Sequence, residues 1–130
     1  MKEAVREETE RWLKGFMPLY QQAATLIHKI AKFDAEGLPT DLPTLLDGNV
    51  KLPPILKSVK ELPKPKEKEL RKLKKDFENV LDACIKASEW GVKFSQDQSR
   101  IRLSMIVFQT TAAIEFMKSF SKRLTLLSKE

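Results

Sequence analysis

Apolar residues recur at helical spacing in three long segments of the chain. In the first segment the stripe alternates steps of four and three, which is the pattern of an amphipathic helix. Gly37, Leu38 and Pro39 follow it, and a glycine with a proline beyond it is a typical helix end. Pro18 inside this helix removes one amide donor, so we expect a kink there. The stripe consists of Val5, Thr9, Trp12, Phe16, Leu19, Ala23, Leu26, Ile30 and Phe33.

Two further long helices are predicted in the second half of the chain, the last from about Gln96 to Leu127. Gly91 has the character of a helix end, and Ser95 with Gln98 three residues later has the spacing of a capping box for the next helix. We therefore predict a helical hairpin that turns near residues 91 to 95. A continuous helix through Gly91 is the alternative interpretation.

A proline-rich crossover, residues 38 to 65, joins the first two long helices. Its apolar residues form two short clusters, each preceded by proline, a favoured first residue of a helix. We predict two short helices that pack along the bundle, because unstructured loops of this length are uncommon in compact domains. Residues 1 to 130 are expected to form one domain. The predicted fold is an all-α helical bundle of three long helices, the first kinked near Pro18, with short helices in the crossover.

The last helix is apolar on two opposite sides. One side has the spacing of a bundle core, and the other lies half a turn away at about 100° per residue. Because a helix that is apolar all round is normally enclosed, this helix either lies at the centre of the fold or meets another chain, and the sequence leaves both alternatives open. The residues of the second side, called the outer face below, are Ile101, Met105, Phe108, Ala112 and Phe116.

The net charge of +6 is concentrated in one segment. Between Lys51 and Lys75 there are ten basic and three acidic residues, whereas the rest of the chain is nearly neutral. Cations crowd the first turns of the second long helix, where the helix dipole disfavours them unless an anion is present. A phosphate backbone would be such an anion, and the alternative is a solvated face with local ion pairs. The candidate anion-binding residues, called the basic tract below, are Lys64, Lys66, Lys68, Arg71, Lys72 and Lys75.

The sequence shows no catalytic or metal-binding constellation. One histidine, His28, and one cysteine, Cys84, are too few for a zinc cluster. Cys84 falls on a core position, where a thiol behaves as a small hydrophobe. No pair of carboxylates faces the predicted core, Glu115 is solitary, and no glycine-rich phosphate loop is present. We therefore predict neither catalytic residues nor cofactors, and we expect a protein that is not an enzyme.

Three classes of function remain. The longest uncharged runs fall short of the roughly 20 residues of a membrane span, and the charged N-terminus does not resemble a secretory signal, so we expect a cytoplasmic protein without a transmembrane segment. The leading hypothesis is a non-enzymatic interaction module that forms a homodimer or binds a protein partner through the outer face. The alternative is nucleic-acid or polyanion binding through residues 64 to 75, although aromatic stacking platforms are missing there. A second alternative is a small-molecule carrier or enzyme that uses the bundle interior.

Overall fold

The computed structural model describes residues 3 to 32 and 41 to 128. Four α-helices follow one another in these ranges: α1 (Glu3–Ile30), α2 (Leu42–Glu61), α3 (Lys68–Gln96) and α4 (Arg100–Ser128). The described residues contain no strand, so the all-α class predicted from the sequence is confirmed. A bilayer crossing would need a longer or more apolar helix than any within these ranges.

The described part of the proline-rich crossover, residues 41 to 65, contains one long helix and not the two short helices predicted. α2 runs for 20 residues, through Pro53 and Pro54. Both prolines lie on the exposed side, where carbonyl oxygens that lose an amide partner are reached by water. Over residues 3 to 32 and 41 to 128 the bundle therefore has four long helices, and the prediction of three long helices with short helices in the crossover is wrong. The buried stripe that joins the two apolar clusters into one helix is Leu45, Gly48, Leu52 and Val59.

The start of α2 is fixed by a side-chain cap. The Asp41 carboxylate accepts a hydrogen bond from the backbone N–H of Thr44 at 2.9 Å, and this bond satisfies one of the amide donors that a helix leaves free at its N-terminus. The side-chain hydrogen bond to Thr44 lowers the pKa of Asp41 below its ordinary value. The helix therefore begins immediately after the acid, with Pro43 in its first turn.

α1 is continuous through Pro18 and buries most of its predicted stripe. Trp12, Phe16, Ala23 and Ile30 are buried, as the periodicity indicates. Pro18 itself is exposed, and the kink expected near it stays a prediction. The predicted helix end at residues 37 to 39 lies outside the described residues.

The turn between α3 and α4 occurs later than predicted. α3 passes through Gly91, and residues 97 to 99 connect the two helices, so the predicted turn near residues 91 to 95 is wrong and the continuous helix is confirmed. Gly91 serves close packing: a Cβ at this position would lie 2.9 Å from the Cβ of Leu45 on α2. Ser99, not Ser95, caps the next helix, because its Oγ accepts a hydrogen bond from the Arg102 N–H at 3.2 Å.

Successive helices run antiparallel. The Trp12 indole N–H near the start of α1 donates to the carbonyl oxygen of Pro63, just beyond the end of α2, at 2.9 Å. At the other end of the same pair, Gly48 of α2 approaches Ile30 so closely that a Cβ would lie 2.7 Å from the Ile30 Cδ1. Short connections then reverse the chain into α3 and α4. The result is an up-down-up-down arrangement of helices.

Four aromatic rings fill the interior where α1, α3 and α4 meet. The Phe77 ring lies 5.2 Å from the ring of Phe16 and 5.1 Å from that of Phe120, measured between centroids. Tyr20 completes the cluster at 5.6 Å from Phe77 and 5.3 Å from Phe120. Such spacings are typical of favourable ring pairs. The interior at this level is therefore occupied by side chains.

Candidate interaction surfaces

α4 packs on α3 with one side and leaves the opposite side in solvent. α4 makes far more contacts with α3 than it makes with α1 or α2. It therefore lies at the side of the bundle and not at its centre. The buried side follows the predicted core spacing and consists of Ile106, Thr110, Ala113, Met117 and Phe120.

The outer face is largely uncovered in the single chain. Ile101 is 75% exposed, Phe108 63% and Phe116 37%, while Met105 and Ala112 are half-buried. These five residues therefore do lie along one side of one helix, as the periodicity indicates. Large apolar side chains clustered at such exposure are unusual for a surface that contacts only water.

Charge is missing from most of the outer face. No Asp, Glu, Lys or Arg occurs between Leu103 and Ile114. Arg102 directly precedes this run. The first charges after it are Glu115 and Lys118, which form an exposed ion pair at 3.2 Å. Depletion of charged residues is a feature of the centre of protein interfaces. The surface is thus better suited to an uncharged, apolar contact than to a phosphate or a basic peptide.

Leu126 is an exposed apolar residue that the sequence reasoning missed. It lies 18 residues after Phe108 on α4, a spacing of five full turns, so both side chains lie on the same side of the helix. Lys122 and Arg123 separate Leu126 from the rest of the outer face. A search for apolar residues at 18-residue spacing would have found it.

The basic tract is exposed, but its residues do not form one uniform patch. Lys64 and Lys66 lie in the connection between α2 and α3, and the other four lie in the first turns of α3. Lys72 forms an ion pair with Glu69 at 3.7 Å. Lys66 lies next to α1, because its backbone N–H donates a hydrogen bond to the Glu8 carboxylate at 3.3 Å. Lys68, on the first turn of α3, does not line the cavity described next.

A basic cavity of about 300 Å³ lies where α2 ends and α3 begins. Three members of the basic tract line it, namely Lys64, Arg71 and Lys75. The structure adds Lys60 from the last turn of α2 and Lys74 from α3, neither of which the sequence analysis selected. Lys74 forms an ion pair with Glu78 at 2.8 Å. The remaining lining residues are Leu62, Pro65 and Glu78.

A larger groove of about 500 Å³ lies between the start of α1 and the α2–α3 connection. Trp12 and Pro63, which are joined by the indole hydrogen bond, both line it. Its charged lining is mixed, because Glu7, Glu8 and Arg11 of α1 line the same space as two lysines of the connection. This mixture gives no clear preference for a ligand of either charge.

The residues weighed for catalysis are dispersed. Cys84 is buried, and burial raises the pKa of its thiol to about 12, so the nucleophilic thiolate is scarce at neutral pH. His28 is exposed on α1. Glu115 is exposed and paired with Lys118. Among the residues that the structure describes, no three His, Cys, Asp or Glu side chains converge to hold a metal ion.

Comparison of the chain with models of protein families, with curated proteins and with solved structures finds no match.

Proposed function

We propose that this chain is a non-enzymatic interaction module that self-associates through the outer face of α4. The observation that carries the proposal is the exposure of Ile101, Phe108 and Phe116 on one charge-poor side of a long helix. Apolar surface of this kind gains free energy when a second apolar surface covers it.

A second copy of the chain is the occupant that best suits this face. The covering surface has to be apolar and poor in charge, and the outer face itself has both properties. A twofold axis near Phe108 brings the same patch of each copy together, which is the usual geometry of homodimers. Met105 and Ala112 then lie on either side of the axis, so that large and small side chains alternate along the contact.

Charge favours an antiparallel arrangement of the two α4 helices. The basic tract lies at the far end of the bundle, where Arg123 of α4 pairs with Glu69 and Asp76 of α3 at 2.7 and 2.9 Å. The rise of the helix from Phe108 to Arg123 is about 22 Å. Antiparallel pairing thus separates the two basic tracts by about 45 Å, well beyond the screening length of about 8 Å at physiological salt. Parallel pairing would place them side by side.

The expected affinity is modest. Full burial of an apolar side chain of this size gains about 1.5 to 3 kcal/mol. Scaled by the exposed fractions of Ile101, Phe108 and Phe116 and counted for both copies, the gain is about 5 to 10 kcal/mol. Association costs an estimated 4 to 15 kcal/mol in lost freedom of motion. The two are of similar size, so we expect a dimer that dissociates on dilution.

Light scattering during size-exclusion chromatography tests the proposal. At high protein concentration the wild-type chain is expected to approach twice the 15.0 kDa mass of one chain. Phe108→Glu places two carboxylates near the twofold axis, so this variant is expected to stay at the mass of one chain. Because Phe108 is mostly exposed, the variant should keep the helical circular dichroism of the wild type.

Val50→Glu is the matched control. Val50 is 71% exposed on α2 and undergoes the same change in charge, but it lies outside the outer face. This variant is expected to self-associate like the wild type. A wild-type chain that has the mass of one chain at every concentration refutes the proposal, and so does an equal loss of association in the two variants.

A further inference from the structure

The basic cavity gathers five cationic side chains around one carboxylate. Lys60 comes from the end of α2, Lys64 from the connection, and Arg71, Lys74 and Lys75 from the start of α3. Three separate parts of the chain therefore contribute, which distinguishes the cavity from a lysine-rich face of a single helix. No residue of α4 lines the cavity, so ligand binding there would not depend on self-association through the outer face.

Among the residues that the structure describes, most of this charge has no counter-ion. The Lys74–Glu78 ion pair, with 16% and 14% of the two side chains exposed, accounts for one cation and the one carboxylate of the lining. Among the side chains that the structure describes, no ion pair within 4.0 Å involves the ammonium group of Lys60, Lys64 or Lys75. These cations repel one another, and an anion bound among them would relieve the repulsion.

Arg71 is held in place without losing its charge. Its guanidinium donates through one terminal nitrogen to the carbonyl oxygens of Pro65 at 3.4 Å and Lys66 at 2.7 Å. Carbonyl oxygens are neutral acceptors, so the positive charge remains. Neither bond uses the second terminal nitrogen of the guanidinium. Its N–H groups can therefore donate to an oxyanion.

The residues before and after Lys64 each accept a hydrogen bond from a neighbouring helix. The carbonyl oxygen of Pro63 accepts from the Trp12 indole at 2.9 Å, and that of Pro65 accepts from Arg71. Pro65 is also buried, and each proline fixes its own φ. The backbone of Lys64 is therefore held before any ligand arrives, which lowers the entropy lost on binding.

The size and lining of the cavity define the ligand class. A volume of about 300 Å³ is at the lower end of small-molecule sites. No aromatic side chain lines the cavity, so it offers no platform on which a nucleic-acid base would stack. We propose that the basic cavity binds a compact polyphosphate group, recognised through its phosphate oxygens. Inorganic polyphosphates and the phosphate chains of nucleotides share this chemistry.

Isothermal titration calorimetry of the full chain with inorganic triphosphate tests this proposal. We expect saturable binding that weakens as salt rises. Lys64→Gln and Lys75→Gln are each expected to weaken it by about tenfold or more, as the loss of one charge-assisted contact implies. Adenosine triphosphate is expected to bind about as tightly as the inorganic ion, because only phosphate oxygens are recognised.

Two charge-matched variants separate the cavity from other surfaces. Lys68→Gln changes a member of the basic tract outside the cavity, and Lys29→Gln removes an exposed lysine at the opposite end of the bundle. Both are expected to retain binding within about twofold. The proposal is overturned if triphosphate does not bind at low salt, or if Lys68→Gln weakens binding as much as Lys64→Gln. Tighter binding of a single-stranded oligonucleotide than of triphosphate would also overturn it, because an extended strand would then be the ligand.

Discussion

Gly91→Ala is expected to destabilise the protein although alanine is the better helix former. In a helix interior alanine is favoured over glycine by about 1 kcal/mol. At position 91, however, the added Cβ would lie 2.9 Å from the Leu45 Cβ and 3.1 Å from its Cδ1. A Cβ atom is fixed by its backbone, so α2 has to move away from α3. Overpacking of this kind costs about 1 to 3 kcal/mol, which leaves a net destabilisation of about 1 kcal/mol.

Gly15→Ala is the matched comparison. A Cβ at this position of α1 would meet only the Leu62 Cδ2, at an ordinary contact distance of 3.5 Å. This variant should therefore gain up to about 1 kcal/mol from helix propensity. Urea denaturation followed by circular dichroism measures both free energies of unfolding, which should differ by about 2 kcal/mol with Gly15→Ala the more stable. If Gly91→Ala is stabilised as much as Gly15→Ala, the close approach of α2 and α3 is wrong.

Two further predictions concern the core. Because burial raises the pKa of Cys84 to about 12, the folded chain holds this proton to higher pH than the unfolded chain. The resulting stability is present below about pH 8.5 and is lost as pH rises from there toward 12. A thiol reagent at pH 8 should label Cys84 of the native chain far more slowly than Cys84 of the urea-unfolded chain. Equal labelling rates would contradict the burial of Cys84. Thr110→Val should raise the free energy of unfolding by about 1 kcal/mol, because the buried Thr110 hydroxyl has no hydrogen-bond partner in the described structure. A loss of stability in urea denaturation would show that the hydroxyl is bonded.

Periodicity predicted α1, α3 and α4 because each has a continuous apolar stripe at core spacing, to which α4 adds the outer face. The buried residues Phe16 and Ile30 of α1 and Cys84 of α3 were all on predicted core positions. α2 was divided into two helices because Pro53 and Pro54 were taken as a start signal. The buried stripe through Gly48 and Leu52 continues past the two prolines. The helix can continue through them because both lie on its exposed side. Exposure depends on packing, which local sequence does not contain.

The helix contacts and the surface sites were predicted less completely from the sequence than the helices themselves. Gly91 was taken for a helix end because a glycine at a close helix contact and a glycine at a helix end look alike in one sequence. Lys60 and Lys74 were missed at the basic cavity because their proximity to Lys64 arises from the turn between α2 and α3. The outer face was recognisable, since its residues share one helix and their relation depends only on helical geometry.

Hydroxyl-radical footprinting read by mass spectrometry tests coverage of the outer face most directly. It reports how accessible individual side chains are to solvent, and it can be repeated at increasing protein concentration. Self-association through α4 predicts that modification of Phe108 and Phe116 falls as the concentration rises, while modification of Val50 on α2 stays constant. If Phe108 is modified at the same rate at every concentration, no second copy covers this face, and the proposed function is wrong.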